Sequence, residues 1–130
     1  MKFRTDFVTN SSSSSFIIAM SNDTMHTAMM DALVNCSDNM DTTAGHKITT
    51  IAELDKFILE MRGYGNETIE ELLTSDNYAA QLYDIMRSAI EKNKLVMQKN
   101  ISYDALALIE FLEYMAKHDP ESVQILMSDN

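Results

Sequence analysis

Apolar residues follow two different periods along this chain, one typical of strands and one typical of helices. Residues 16–20 are five consecutive apolar residues next to a serine tract, the pattern of a short buried strand. Residues 94–101 lose the helical period and alternate in part between apolar and polar positions. Residues 123–127 are again short and mostly apolar. These three ranges are therefore predicted to be strands.

Helical spacing of apolar residues predicts five helices between and around these strands. They cover residues 22–36, 51–61, 66–73, 76–90 and 103–118, with Thr50, Asn66, Ser75 and Ser102 as expected N-caps. In the first helix the apolar stripe predicts these inward residues: Met25, Ala28, Met29, Ala32, Leu33 and Cys36. Residues 37–47 are polar and contain Gly45, so a loop is expected there.

The order of these elements predicts a helix-rich α/β or α+β domain, with about five helices around a sheet of at least three strands. The last strand, helix and strand form a βαβ unit, whose two strands should run parallel with a right-handed crossover. We expect one globular domain at residues 16–130, preceded by a serine-rich segment at residues 1–15 that is flexible or irregular.

Charge narrows the class of partner. The chain has 20 acidic and 10 basic residues, a net charge of −10, which argues against nucleic acid or an anionic membrane as the main ligand. Lys92, Lys94 and Lys99 are the nearest approach to a basic patch. The longest apolar run is far shorter than a membrane-spanning helix needs, and no signal peptide is recognisable. With one cysteine and hence no internal disulfide, the chain is expected to be cytoplasmic.

No known catalytic or cofactor-binding motif is found. With three glycines in all, phosphate-cradling loops are nearly excluded, so no cofactor is expected. His26, His46 and His118 share no metal-ligand spacing, and Cys36 lies on the apolar stripe of its helix, which favours an inert buried thiol. These observations favour a non-enzymatic protein.

A serine and an aspartate follow each predicted strand. The residues are Ser21 and Asp23, Ser102 and Asp104, and Ser128 and Asp129. If the strands are parallel, these side chains meet at one edge of the sheet, where open α/β sheets bind ligands. Ser21, Asp23, Ser102 and Asp104 are thus candidates for binding a small ligand or a divalent cation. The alternative is that the serines and aspartates only cap helices.

Eleven methionines are many for a chain of 130 residues. Flexible methionines fill cores or coat adaptable binding surfaces. Most occupy predicted inward positions, namely Met25, Met29, Met61, Met86 and Met115. Met20, Met30 and Met40 fit those stripes less well and are candidates for an exposed patch.

The N-terminal residues carry a more specific pattern. It comprises Arg4, Phe7 and Val8, followed by Asn10, Ser11, Ser12, Ser13, Ser14, Ser15 and Phe16. This pattern resembles a signature of many small uncharacterised bacterial, archaeal and phage proteins, which begin approximately R-x-x-F-V-[S/T]-N-S-S-S-S-S-F. The resemblance covers about the first eighteen residues. It implies that the serine tract is a defined element and suggests a connection with phages or mobile elements, but it carries over no binding or catalytic residue.

The function expected from these features is a small acidic protein-interaction module without enzymatic activity. An accessory or anti-defence protein of a phage, such as an anti-CRISPR inhibitor, fits this description. The alternative is a small-ligand or metal-binding domain that uses the predicted strand-end edge. Self-association through exposed apolar residues is a third hypothesis.

Overall fold

A computed structural model describes residues 13–35, 45–63, 65, 67–102 and 106–129. Within these ranges the four strands are β1 (Ser13–Met20), β2 (His46–Ile48), β3 (Leu95–Ser102) and β4 (Val123–Asp129). The five helices of the described residues are α1 (Thr24–Asn35), α2 (Ile51–Arg62), α3 (Ile69–Ser75), α4 (Asn77–Glu91) and α5 (Leu106–His118). The predicted mixed fold of about five helices and a small sheet is confirmed.

The four strands form one sheet in the order β2-β3-β1-β4, and every neighbouring pair is antiparallel. Because β3 and β4 both run antiparallel to β1, they run in the same direction, as the predicted βαβ unit requires. They are not paired with each other, however, because β1 lies between them. The first described strand is therefore an inner strand of the sheet.

Helices cover both faces of this sheet because β1, one of its two inner strands, is apolar on both sides. Along β1, Phe16, Ile18 and Met20 contribute to one hydrophobic cluster, whereas Ile17 and Ala19 contribute to another. The cluster around Ile17 includes buried residues of α2, α3 and α4, and we call this side the three-helix face. The other cluster includes buried residues of α1 and α5 and defines the two-helix face.

Side-chain caps fix the starts of the helices on the three-helix face. The Thr50 hydroxyl accepts a hydrogen bond from Glu53 N, as predicted. Thr68 and Glu71 form a complete capping box at the start of α3. The predicted cap Asn66 lies outside the described residues. At α4 the cap is Asp76, so the prediction of Ser75 was wrong by one residue.

Two predictions for the preceding part of the chain were also wrong. His46–Ile48, which overlaps the expected loop, is a short strand that pairs with Gln98, Met97 and Val96 of β3. In α1 the buried residues are His26 and Met30, while three residues of the predicted inward stripe are exposed: Met25, Ala28 and Ala32. The helix is thus rotated relative to the predicted stripe, and Cys36 lies outside the described residues.

Candidate functional site

The predicted strand-end site is not assembled in this fold. Ser21 follows the end of β1 and donates its backbone N–H to Ser122 O (2.9 Å) and its hydroxyl to Glu121 O (3.2 Å), beside the start of β4. Ser102 pairs with Ser13 at the start of β1, so all eight residues of that strand separate the two serines. At about 3.4 Å per residue this is roughly 25 Å. Antiparallel pairing thus puts Ser21 and Ser102 at opposite ends of the sheet.

The other two residues of that predicted site are Asp23 and Asp104. The Asp23 carboxylate accepts hydrogen bonds from the backbone N–H and the ring Nδ1 of His26, both at 2.8 Å. The backbone bond is the main reason why the pKa of Asp23 lies below its usual value, and the ring of His26 adds to the effect. Asp23 therefore serves the first turn of α1, as the capping alternative predicted. Asp104 lies outside the described residues.

No metal centre is found within the described ranges. They contain no group of three or more histidine, cysteine, aspartate or glutamate side chains arranged to hold a metal ion. The three histidines lie apart in the fold. His26 is buried against Asp23, His46 contacts the ring of Phe57, and His118 contacts the ring of Tyr114 at the end of α5.

The end of the serine signature lies inside the sheet. Ser13, Ser14 and Ser15 are the first three residues of β1, which therefore begins before the predicted boundary at residue 16. Ser15 accepts a hydrogen bond at 2.9 Å from the side-chain amide of Gln98 on β3. Phe16, the last signature residue, is buried in the core of the two-helix face. The signature residues Asn10, Ser11 and Ser12 lie outside the described residues.

A cavity of about 170 Å³ lies on the three-helix face where the helices leave this end of the sheet uncovered. The strands contribute Ser15, Ile17, Gln98 and Met127 to its lining, and helices α2 and α4 contribute Met61, Arg62, Tyr78 and Leu82. A more open cleft adjoins it and shares Ser15, Met61 and Gln98 with it. That cleft extends towards β2, past Asn100, Phe57 and His46.

The floor of this cavity is polar because the alternation along β3 changes from apolar to polar residues. Val96 belongs to the core of the three-helix face, whereas Gln98 and Asn100, two and four residues later, are polar. The Gln98 amide donates to Ser15 Oγ (2.9 Å) and to Asn100 Oδ1 (3.1 Å). A row of neutral hydrogen-bonding side chains thus crosses the sheet beside an otherwise apolar cavity.

One wall of the cavity is held by a charged pair. Arg62 donates two hydrogen bonds to the carboxylate of Asp76, at 3.0 and 3.1 Å. The same guanidinium lies over the ring of Tyr78, 4.8 Å from the ring centre. The Tyr78 hydroxyl in turn donates to the sulfur of Met127 (3.4 Å). These contacts connect α2, the start of α4 and strand β4 around the cavity.

Helix α5 has an apolar surface that faces solvent. Leu112 is its one fully buried side chain among the described residues, with Leu108, Ile109 and Met115 partly buried beside it. In contrast, Leu106 is 57% exposed, Phe111 is 44% exposed and Tyr114 is 60% exposed. Phe111 and Tyr114 are three residues apart and share one side of the helix. We call Leu106, Phe111 and Tyr114 the α5 apolar face.

The structure contradicts part of the prediction of which methionines are buried, and it also buries one lysine. Met20 and Met30 are buried in the two-helix face, while Met25 and Met61 are exposed. Met40 lies outside the described residues. Lys99, one of the three lysines that come nearest to a basic patch in the sequence, is completely buried, since the alternation along β3 places it on the same side as Met97 and Ile101.

The chain was also compared with known proteins. No family model, curated protein or solved structure matches it. Among the helices of the described residues, none combines the length and the apolar character that crossing a bilayer requires.

Proposed function

We propose that this protein is a non-enzymatic interaction module that binds another protein through the α5 apolar face. The observation that carries the proposal is the exposure of three large apolar side chains on one helix, Leu106, Phe111 and Tyr114. Exposed aromatic residues grouped on one helix face are typical of helices that bind in an apolar groove of a partner.

The negative charge of the chain and of helix α5 indicates which kind of partner surface would fit the α5 apolar face. Glu110 and Glu113 are exposed on the same helix, and the whole chain carries a net charge of −10. A second copy of the chain would bring like charges together at this face, which disfavours self-association. We therefore propose a partner protein with an apolar groove bordered by lysine or arginine side chains. The N-terminal resemblance supports the further proposal that this partner is a defence protein inhibited by a phage or mobile element.

The test is affinity purification of the tagged protein from its native host, followed by binding measurements with the purified candidate partner. We expect a stoichiometric complex that the double variant Phe111→Asp, Tyr114→Asp abolishes. The matched control is Met25→Asp, because Met25 is 63% exposed but lies on α1. It should leave the affinity unchanged.

Two further measurements distinguish binding through the α5 apolar face from other modes of binding. Glu110→Lys together with Glu113→Lys should slow association with a basic partner, and added salt should weaken the native complex. A truncation that begins at Ser13 keeps all of β1 and should retain the partner. The proposal is wrong if the double variant keeps the partner, if no stoichiometric partner is captured, or if light scattering shows that the α5 face joins two copies of this chain.

A further inference from the structure

The cavity beside Ser15 and Gln98 combines an apolar enclosure with a hydrogen-bonding floor. Its walls include Ile17, Leu82 and Met127, together with Met61 and the ring of Tyr78. Thioether and aromatic groups of this kind make favourable contacts with a flat ring. Polar groups placed in a mainly apolar pocket are what orients a bound small molecule.

The hydrogen bonds along the floor leave a specific pair of groups for a ligand. Both amide hydrogens of Gln98 are used, one by Ser15 and one by Asn100. Among the described residues, none donates a hydrogen bond to the side-chain oxygen of Gln98 (Oε1), and none accepts one from the Ser15 hydroxyl. The floor therefore offers one acceptor and one donor side by side, which suits a ligand edge carrying an N–H next to a C=O.

Charge and size limit the ligand to a small neutral ring. Among the described lining residues, the one charged side chain is Arg62, whose guanidinium already makes two hydrogen bonds to Asp76. A phosphate or carboxylate would thus find no available cation among the described lining residues. The volume is about 170 Å³. Since an engineered apolar cavity of about 150 Å³ binds benzene, one six-membered ring fits.

We propose that this cavity binds an uncharged heterocycle with a lactam edge, of the kind found in a pyrimidine base. The ring lies between Met61, Tyr78 and Met127, its N–H donates to Gln98 Oε1 and its C=O accepts from the Ser15 hydroxyl. Substituents on the ring extend into the adjoining cleft past Asn100. This site lies on the three-helix face, so it is independent of the partner surface proposed for α5.

The test is a titration of the full chain with uracil, in which two-dimensional ¹H–¹⁵N NMR spectra are recorded at each uracil concentration. We expect saturable shifts of the Gln98 side-chain amide and of the backbone amides of Ser15 and Met61. The matched ligand is 1,3-dimethyluracil, which keeps the ring and both carbonyls but has no N–H. It should bind about tenfold more weakly, as expected for the loss of one buried hydrogen bond.

Two protein variants complete the test. Gln98→Leu should weaken uracil binding about tenfold or more, while Gln124→Leu on β4, outside the cavity lining, should leave it unchanged. Ser15→Ala checks the donor if Gln98→Leu does not fold. The proposal is overturned if uracil does not bind up to its solubility, or if benzene or 1,3-dimethyluracil binds the native chain as tightly as uracil.

Discussion

The two faces of the sheet are covered to different extents by their helices. On the three-helix face, α4 alone has five buried residues: Ala79, Leu82, Tyr83, Met86 and Ala89. On the two-helix face, α5 has one buried residue, Leu112, and α1 has two, His26 and Met30. The starts of the three helices on the first face are also fixed by Thr50, Thr68 and Asp76.

This difference indicates that the three-helix face mainly stabilises the fold, whereas the two-helix face has apolar surface available for binding. The helices of the three-helix face have more of their apolar surface in the core, where burial stabilises the fold. Helix α5 keeps a small inward face and directs Phe111 and Tyr114 to solvent. A surface helix with two apolar sides has one side available for a partner. The comparison predicts that core substitutions on the three-helix face are costly and that substitutions on the α5 apolar face are not.

The largest effect is expected for Ile58→Ala, at a fully buried position of α2. Loss of the side chain leaves a cavity in the core and should lower the free energy of unfolding by about 2–5 kcal/mol. Urea denaturation followed by circular dichroism measures this change. Ala52→Gly, at an exposed position of the same helix, is the control for helix propensity and should cost about 1 kcal/mol or less. A loss below 1 kcal/mol for Ile58→Ala would contradict the prediction that core substitutions on the three-helix face are costly.

Gly45→Ala tests how closely the start of β2 approaches the buried Lys99. An added Cβ would lie 2.9 Å from the carbonyl oxygen of Gln98 and 3.3 Å from the Cβ of Lys99. Because a backbone oxygen cannot move without shifting β3, we expect a loss of about 1–3 kcal/mol. Thermal unfolding checks it, and unchanged stability would show that β2 does not pack this closely.

Asp76→Asn separates charge from capping on the three-helix face. Asparagine still caps α4 but loses the ionic bond to Arg62, so we expect a loss of about 1 kcal/mol at pH 7. The backbone N–H of Ala79, followed by Arg62, lowers the pKa of Asp76 below its usual 3.8. Its contribution is therefore complete above pH 3.8 and is lost as the pH falls through the lower folded value. Acid titration of stability should show a shallower decline for Asp76→Asn than for the control Asp84→Asn, since Asp84 is exposed.

Tyr83→Phe tests a polar contact at the edge of the same core. The Tyr83 hydroxyl donates to Asp55 (2.7 Å), and its removal should cost about 1 kcal/mol. Burial, with Asp55 as the next cause, raises the pKa of Tyr83 to about 12. Because the folded value lies above the unfolded one, this stabilisation is complete below pH 10 and is lost as the pH rises towards 12. Ultraviolet titration of the folded protein should lose a tyrosinate step near pH 12 in the variant, and an unchanged titration would contradict this assignment.

The smallest effect is expected on the α5 apolar face. Phe111→Ser should change the free energy of unfolding by less than about 0.5 kcal/mol beyond the small loss of helix propensity, because the residue is 44% exposed and lies outside the core. Leu112→Ala, the adjacent buried position, is the matched control and should cost about 2–5 kcal/mol. Equal losses at the two positions would show that Phe111 belongs to the core and would remove the basis of the proposed partner surface.

The sequence predicted the elements well where the periodic signal was long. The helices around Phe57 and Leu82, and the strands around Ile18 and Val96, lie where their patterns indicated. It could not predict that β1 lies between β3 and β4, because strand order depends on contacts between distant residues. The strand-end site failed because β1 runs antiparallel to β3, which places Ser21 and Ser102 at opposite ends of the sheet. For the cavity floor the sequence contained one weak signal: Gln98 and Asn100 are polar residues in a strand that is otherwise buried on that side. Only the register between β1 and β3 places them beside Ser15.

The inner position of β1 has a consequence for how the chain folds. Ser15 and Gln98, which bond across the sheet, are 83 positions apart, and β4 lies further along the chain still. On a ribosome that adds about 5–20 residues per second, β1 waits several seconds before either neighbouring strand exists. During that time its apolar residues 16–20 are unpaired and open to aggregation or to a chaperone. Contacts of such long range also make folding slow, so the sheet forms late in synthesis and in a cooperative step.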